Sequence, residues 1–284
     1  MGSLENMEVK EPVHTNGESE RHTKADCVER APPATTRIDD IVHERLEKLN
    51  PTLSISYFPN PLQIKTAKGA IMIEENGQEN VDCINNVSHI GHCHPKFVKR
   101  IAEQASILQT NSRFLYDVLL EATNKLLKKF PPELCVVTFC NSGSEANDLA
   151  MQMAQVHTGK PGIICLDGAY HGVTRATMDI SPYKWNDKYK QNPLVTVAKS
   201  PCTYRGALAG KTNSKDYAAY LPSIINENTG AFISEMMQSC AGQVIPFKDF
   251  YSELYPVLRS HGVVAIADEV QTGFGRLGSH FWAF

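Results

Sequence analysis

The stretch Phe139-Cys140-Asn141-Ser142-Gly143-Ser144-Glu145-Ala146-Asn147-Asp148 joins a β-rich run, Cys135 to Phe139, to a long amphipathic segment that ends at Gly159. Ser142 followed by Glu145 fits the S-x-x-E capping box, so Gly143, Ser144 and Glu145 form a first helical turn whose amide hydrogens lack intrahelical acceptors. Free N–H groups, the helix dipole and nearby hydroxyls suit a phosphate dianion, and Gly143 allows close backbone approach. An ordinary capped helix explains the same decapeptide, because strand-to-helix turns of this kind occur throughout α/β proteins. The neighbouring sequence has to choose between the two.

The chain has 284 residues, enough for a substantial core and for one large or two modest domains. Hydrophobic residues make up 42% and charged residues 21%, with a net charge of −3, which places it among globular chains. Lys and Arg are scattered among acidic residues, the opposite of the clustering that nucleic acid requires. No apolar run is long enough to span a bilayer and no signal-peptide core opens the chain, so neither a membrane nor a secreted setting is expected. The eight cysteines contain no C-x-x-C pair and fit a reducing compartment, the cytoplasm being favoured and the mitochondrion the alternative. Cys83, His89, His92, Cys93 and His94 have metal-ligand chemistry, but their spacing does not repeat and alternate side chains of one short loop do not converge, so no metal is expected.

Residues 1–37, rich in Glu and Asp and poor in large apolar residues, read as a disordered acidic tail. A short helical pattern of Ile41, Leu46 and Leu49 stops at Asn50-Pro51. Hairpin signals follow around Lys68-Gly69 and at Glu75-Asn76-Gly77. Pro95 opens an amphipathic helix through Leu108, and another runs from about Leu115 to Lys129. Beyond it the chain alternates: strand candidates at Cys135–Phe139, Ile163–Leu166, Ala231–Ser234 and Val263–Ala267 are separated by helices, including Phe250–Arg259. That alternation predicts a mostly parallel sheet with helices on both faces, whose ligands sit beyond the carboxyl ends of the strands.

At those ends stand the phosphate turn, then Asp167-Gly168-Ala169-Tyr170-His171-Gly172, then Glu235 with Gln238, then Asp268-Glu269-Val270-Gln271-Thr272-Gly273-Phe274-Gly275-Arg276. Each has a dull explanation as a turn former or core residue. Together they describe a flat heteroaromatic ring carrying a phosphate on one side and a ring nitrogen on the other, which is pyridoxal phosphate. Asp268 is the candidate partner of the ring nitrogen, Gln271 of the ring hydroxyl, and Tyr170 or His171 would stack on the ring face.

From about residue 41 to Phe284 the chain resembles the class-III, fold-type I aminotransferases. The resemblance rests on Gly91-His92-Cys93-His94-Pro95, Asn141 to Asn147, Tyr170-His171-Gly172 and Asp268 to Arg276, in the family's order. It implies phosphate binding at Ser142, Gly143 and Ser144, stacking by Tyr170, a pyridinium partner at Asp268 and a ring-oxygen contact from Gln271, with His171 and Glu235 in the same site. It also implies an α/β fold in which 38–95 begin a small α+β domain and 96–284 begin the large cofactor domain, in a homodimer.

Within the family the chain looks most like phospho-lyases acting on ethanolamine phosphate or phosphohydroxylysine. Their pattern resembles Asp82 to Val87, Thr110-Asn111-Ser112-Arg113-Phe114, Ile180-Ser181-Pro182-Tyr183-Lys184 and Thr203-Tyr204-Arg205-Gly206. Ordinary transaminases of the class tend to read Glu-Pro-x-Gln-Gly-Glu where this chain has Glu235-Met236-Met237-Gln238-Ser239-Cys240, so Cys240 stands where a second Glu helps handle a 2-oxo acid. Arg113 and Arg205 are candidate phosphate donors, although each also reads as an ordinary surface residue. The family implies a Lys that joins the cofactor and removes the α-proton before phosphate leaves. That Lys is expected after the next strand, past Phe284, and Lys68 is no substitute because it sits in the N-terminal hairpin. The alternatives are an ordinary class-III transaminase and a non-catalytic binding partner.

Overall fold

The computed structural model describes residues 36–50, 53–85, 87–210 and 213–284. The tail expected over 1–37 thus falls almost wholly outside the described residues. The chain divides into two compact units between Ser106 and Ile107.

In the first unit, α1 (Arg37–Lys48) is capped reciprocally: Thr36 Oγ1 accepts from Asp39 N at 3.3 Å and Asp39 Oδ2 accepts from Thr36 N at 2.9 Å. β1 (Ile64–Lys68), β2 (Ile71–Glu74) and β3 (Glu79–Val81) form an antiparallel meander, turned by Gly69 and Gly77 at φ +59° and +89°. The hairpin signals at Lys68-Gly69 and Asn76-Gly77 predicted those turns. α2 (Pro95–Ile107) opens on its proline. In the loop before it, His92 Nε2 meets Asp82 Oδ2 at 2.6 Å and His92 Nδ1 meets Ser88 Oγ at 3.2 Å. The amides of Asn85 and Ile84, and then His92, hold the Asp82 carboxyl well below the usual carboxylate range. Among the described residues no group of His, Cys, Asp and Glu side chains is placed to hold a metal ion, and no helix is long and apolar enough to cross a membrane.

The second unit runs α3 (Asp117–Leu127), α4 (Gly143–Thr158), β4 (Gly162–Leu166), α5 (Arg175–Asp179), β5 (Val195–Ala198), α6 (Ser214–Tyr220), β6 (Thr229–Glu235), α7 (Phe250–Ser260) and β7 (Val264–Asp268). Its strands are parallel throughout and lie in the order β5-β4-β6-β7. Period-two alternation splits the core. Ile164, Leu166 and Phe232 face a layer with Tyr217, Phe250, Leu254 and Leu258, whereas Ile163, Cys165, Ala231 and Ile233 face Met151, Ala154 and Ile180. The sheet is therefore covered by α6 and α7 on one side and by α4 and α5 on the other. β4 connects to β5 on one side of it while β6 lies on the other, which makes the β4–β6 boundary the switch point where such folds open a crevice.

Two elements differ from expectation. Cys135–Phe139 is not a strand: Val136 is 85% exposed, and among the described residues nothing pairs with the segment. β-propensity reflects fit to a ladder, so without a partner strand it leaves extended, solvated chain. Conversely, β5 was not singled out in the sequence, because four residues between polar turns carry too little pattern.

Candidate active site

α4 is capped by Ser142, extended at φ −156°, whose Oγ accepts from Glu145 N at 3.1 Å. The return arm of the capping box is displaced by one residue: Glu145 Oε2 accepts from Asn141 N at 2.7 Å and from Asn141 Nδ2 at 3.0 Å, not from the Ser142 amide. The first-turn amides of Gly143 and Ser144 lack intrahelical acceptors by helix geometry. Gly143 serves packing as well as approach, since a Cβ there would meet Val270 Cγ2 at 2.6 Å. Ser144 Oγ accepts from Val173 N at 3.2 Å, tying the turn to the loop after β4.

That loop is fixed through its backbone. Tyr170 N donates to Glu235 Oε2 at 3.0 Å, His171 N donates to Ser181 Oγ at 2.9 Å, and Ala169 O accepts from Tyr183 N at 3.1 Å. Tyr170 is half-buried with its ring edge-on to Tyr183, and Lys184 Nζ lies 5.5 Å and 5.3 Å from the two ring centres. The His171 imidazole is fully buried, with Nδ1 2.7 Å from Asp268 Oδ2. Of the two rings offered for stacking, His171 is enclosed by protein and Tyr170 is the half-exposed one.

Asp268 ends β7 in register with Glu235 at the end of β6. It is 5% exposed and accepts from His171 Nδ1, from Asn147 Nδ2 at 2.8 Å and, through Oδ1, from Val270 N at 3.0 Å. A carboxylate has about four acceptor positions, so this one keeps acceptor capacity on Oδ1. Asn147, which the sequence reasoning passed over, also donates from Nδ2 to His171 O at 3.0 Å. Its signal was a polar residue on the face of α4 that buries Met151 and Ala154, where an amide needs partners.

Glu235 acts as a clamp, accepting from Tyr170 N and from Ser239 N, the latter at 3.2 Å. Burial pushes its carboxyl above the usual range, opposed by the Tyr170 amide, His171 and the Ser239 amide. A raised folded-state pKa gives stability that is complete below the unfolded value and lost as pH rises through the folded one. Thermal unfolding of the Glu235→Gln variant should therefore show the wild type losing stability relative to it as pH rises from about 4.5. A pH-independent difference would contradict the buried carboxyl. Gln238 is buried beside this clamp, donating to Asp167 O at 2.9 Å and accepting from Ser200 Oγ at 2.6 Å.

The structure brings Ser142, Gly143, Ser144, Tyr170, His171, Glu235 and Asp268 to one end of the sheet, with Gln271 half-buried in the turn that follows β7. Arg113 and Arg205 are exposed, and the Arg205 guanidinium lies 5.4 Å from the ring of its neighbour Tyr204. Cys240 is half-buried with its thiol pushed up by burial and by Glu235, and Lys184 acts in the other direction. These residues fit pyridoxal phosphate on observations of the site itself: a buried carboxylate with spare acceptor capacity, a helix N-terminus with unclaimed amides, and a half-buried aromatic ring on the connecting loop.

A parallel sheet covered on both faces, with polar groups at the carboxyl ends of its strands, is the α/β architecture of the fold-type I pyridoxal-phosphate class. Residues 54–284 match the family model described as aminotransferase class-III, and the chain belongs to that family. It is 41% identical over 253 residues to an alanine–glyoxylate aminotransferase 2-like protein of Drosophila melanogaster, covering 84% of this chain and 51% of that protein. It is 37% identical over 264 residues to the ethanolamine-phosphate phospho-lyase homolog 1 of Caenorhabditis elegans, covering 86% and 56%. A phospholyase from Arthrobacter, solved in complex with phosphoethanolamine, superposes with a TM-score of 0.78 at 26% identity, covering 86% of this chain and 59% of that one. The chain spans about half the length of the curated relatives it matches.

Proposed function

We propose that this chain carries cofactor-binding residues of a pyridoxal-phosphate-dependent phospho-lyase that acts on a phosphorylated primary amine. The observation that carries the reading is Asp268: a buried carboxylate at a strand end, fixed by Asn147 and His171, on the sheet edge that also holds the open N-terminus of α4. Bound there, pyridoxal phosphate supplies an electron sink for bonds broken at the substrate carbon that bears the amine. The amides of Gly143 and Ser144 would hold the phosphate, with the Ser142 and Ser144 hydroxyls as neighbouring polar groups. Asp268 would accept the ring N–H and so favour the protonated ring, Tyr170 would offer its ring to the cofactor face, and Gln271 would serve the ring oxygen. Glu235 keeps Tyr170 in place by holding its amide.

The overall conversion takes the phosphorylated amine and water to an aldehyde, ammonia and inorganic phosphate. No second amino acceptor is needed, which agrees with Cys240 in place of a carboxylate and with the likeness to the phosphoethanolamine-bound lyase. Ordinary amino transfer is the second reading, favoured by the 41% identity to a protein named as an alanine–glyoxylate aminotransferase 2-like enzyme. The complete natural protein decides between them. Incubated with phosphoethanolamine or phosphohydroxylysine, it should release phosphate and ammonia in equal amounts without a 2-oxo acid. Amino transfer to a 2-oxo acid with no phosphate released would establish the second reading instead.

A further inference from the structure

We infer that Asn147 is a positioning residue that acts through Asp268, locking the phosphate-binding turn of α4 to the ring-nitrogen acceptor of β7 so that the two ends of the cofactor site are set as one piece. The inference rests on the cofactor reading above. Asn147 lies one helical turn beyond Gly143 and is 6% exposed. Both hydrogens of its amide nitrogen are committed, one to Asp268 Oδ2 at 2.8 Å and the other to His171 O at 3.0 Å. A single side chain on α4 thereby touches β7 and the loop after β4, 121 and 24 residues away in sequence.

The chemistry of the node is asymmetric. As a carboxylate Asp268 can only accept, so its orientation is dictated by where the donors stand. Asn147 and His171 both reach Oδ2, and Val270 N reaches Oδ1. Acceptor capacity toward a ligand therefore remains on Oδ1 as long as Oδ2 is pulled toward α4. Without the Asn147 amide, Oδ2 keeps one donor on a ring whose other nitrogen, Nε2, is buried with no hydrogen-bond partner among the described residues, and the carboxylate loses its tie to the phosphate turn. Loss of a hydrogen bond to a charged group should weaken pyridoxal phosphate binding about 10- to 100-fold.

Equilibrium binding of pyridoxal phosphate to the complete natural protein tests this with Asn147→Ala, Asn147→Asp and Asp268→Asn, singly and combined. Asn147→Asp keeps the volume, removes the amide donors and sets a carboxyl against Asp268, so it should lose at least as much affinity as Asn147→Ala. In Asn147→Ala/Asp268→Asn the loss should be close to that of Asp268→Asn alone, because one acts through the other. Thermal unfolding supplies a readout that does not depend on the cofactor. Asp268 is faced by Asn147 from α4, by His171 from the loop after β4 and by Glu235 beside it on β6. In Asn147→Asp the facing carboxyls share a proton in acid, so stability relative to wild type should fall as pH rises, and this dependence should vanish in Asn147→Asp/Asp268→Asn. Additive losses, or an unchanged affinity in both Asn147 variants while Asp268→Asn weakens binding, would overturn the inference and leave the cofactor reading intact. Absence of pyridoxal phosphate binding by the wild type would instead remove the reading on which it rests.

Discussion

Asp268→Ala should lower turnover by about 10²- to 10³-fold or more, the range seen when a preorganised electrostatic group is removed from an active site. Two losses combine. The ring nitrogen forfeits the carboxylate that keeps it protonated, so the cofactor no longer accepts electrons as readily. The donors left behind, Asn147 Nδ2, His171 Nδ1 and Val270 N, lose their acceptor in a buried setting, at roughly 1–3 kcal/mol for each group left unsatisfied. Unfolding could mimic the first loss, so Asp268→Asn is the companion variant: it keeps the shape and removes the charge. The measurement pairs phosphate release or amino transfer in the complete natural protein with its thermal unfolding midpoint. A folded Asp268→Asn protein with turnover near wild type would sink the assignment of Asp268 to the ring nitrogen.

Much of this site was legible in the sequence because each part sits where a strand candidate ends. Glu235 and Asp268 were placed just beyond their strands and prove to be the last residues of β6 and β7, a shift of one position that leaves them side by side. The cap at Ser142 and the stop at Gly159, left-handed at φ +68°, follow from local chemistry and needed no tertiary information. What escaped depends on partners far away in the chain. Cys135–Phe139 has the composition of a strand, but pairing is a property of two segments. Glu235 was grouped with ligand contacts, and its bonds to the amides of Tyr170 and Ser239 add a role in fixing the loop that the sequence did not show. His171 was offered beside Tyr170 as a stacking ring, and its buried bond to Asp268, 97 residues away, is invisible to local sequence. Short motifs thus reveal which chemistry is present, and the hydrogen-bond network decides which member faces the ligand and which stands behind it.

Gly172→Ala should be the most disruptive single-methyl change in the site. Gly172 has φ +131°, a conformation that side chains rarely adopt, and a Cβ there would lie 2.3 Å from Ser144 Oγ and 2.9 Å from Ser144 Cα. Backbone strain of about 1–3 kcal/mol adds to an overpacking cost of about 1–3 kcal/mol. That is a large share of the roughly 5–15 kcal/mol that holds a domain folded, and the unfolding midpoint should drop by roughly 10 °C. Relief by movement is not free. Ser144 Oγ accepts from Val173 N, so the shift that makes room for the methyl opens the bond joining the phosphate turn to the loop after β4. Pyridoxal phosphate affinity should fall with stability. Gly242 separates the causes: its φ is +110° and nothing lies within 4 Å of an added Cβ, so Gly242→Ala carries strain without the clash. The excess loss at 172 over 242 measures how tightly Ser144 is pressed against the loop. Ser144→Ala in the Gly172→Ala background should recover only part of it, because the overlaps with Ser144 Cβ and Cα, at 2.8 and 2.9 Å, remain. Equal losses at 172 and 242, with cofactor affinity unchanged in both, would mean that the phosphate turn does not depend on this close approach.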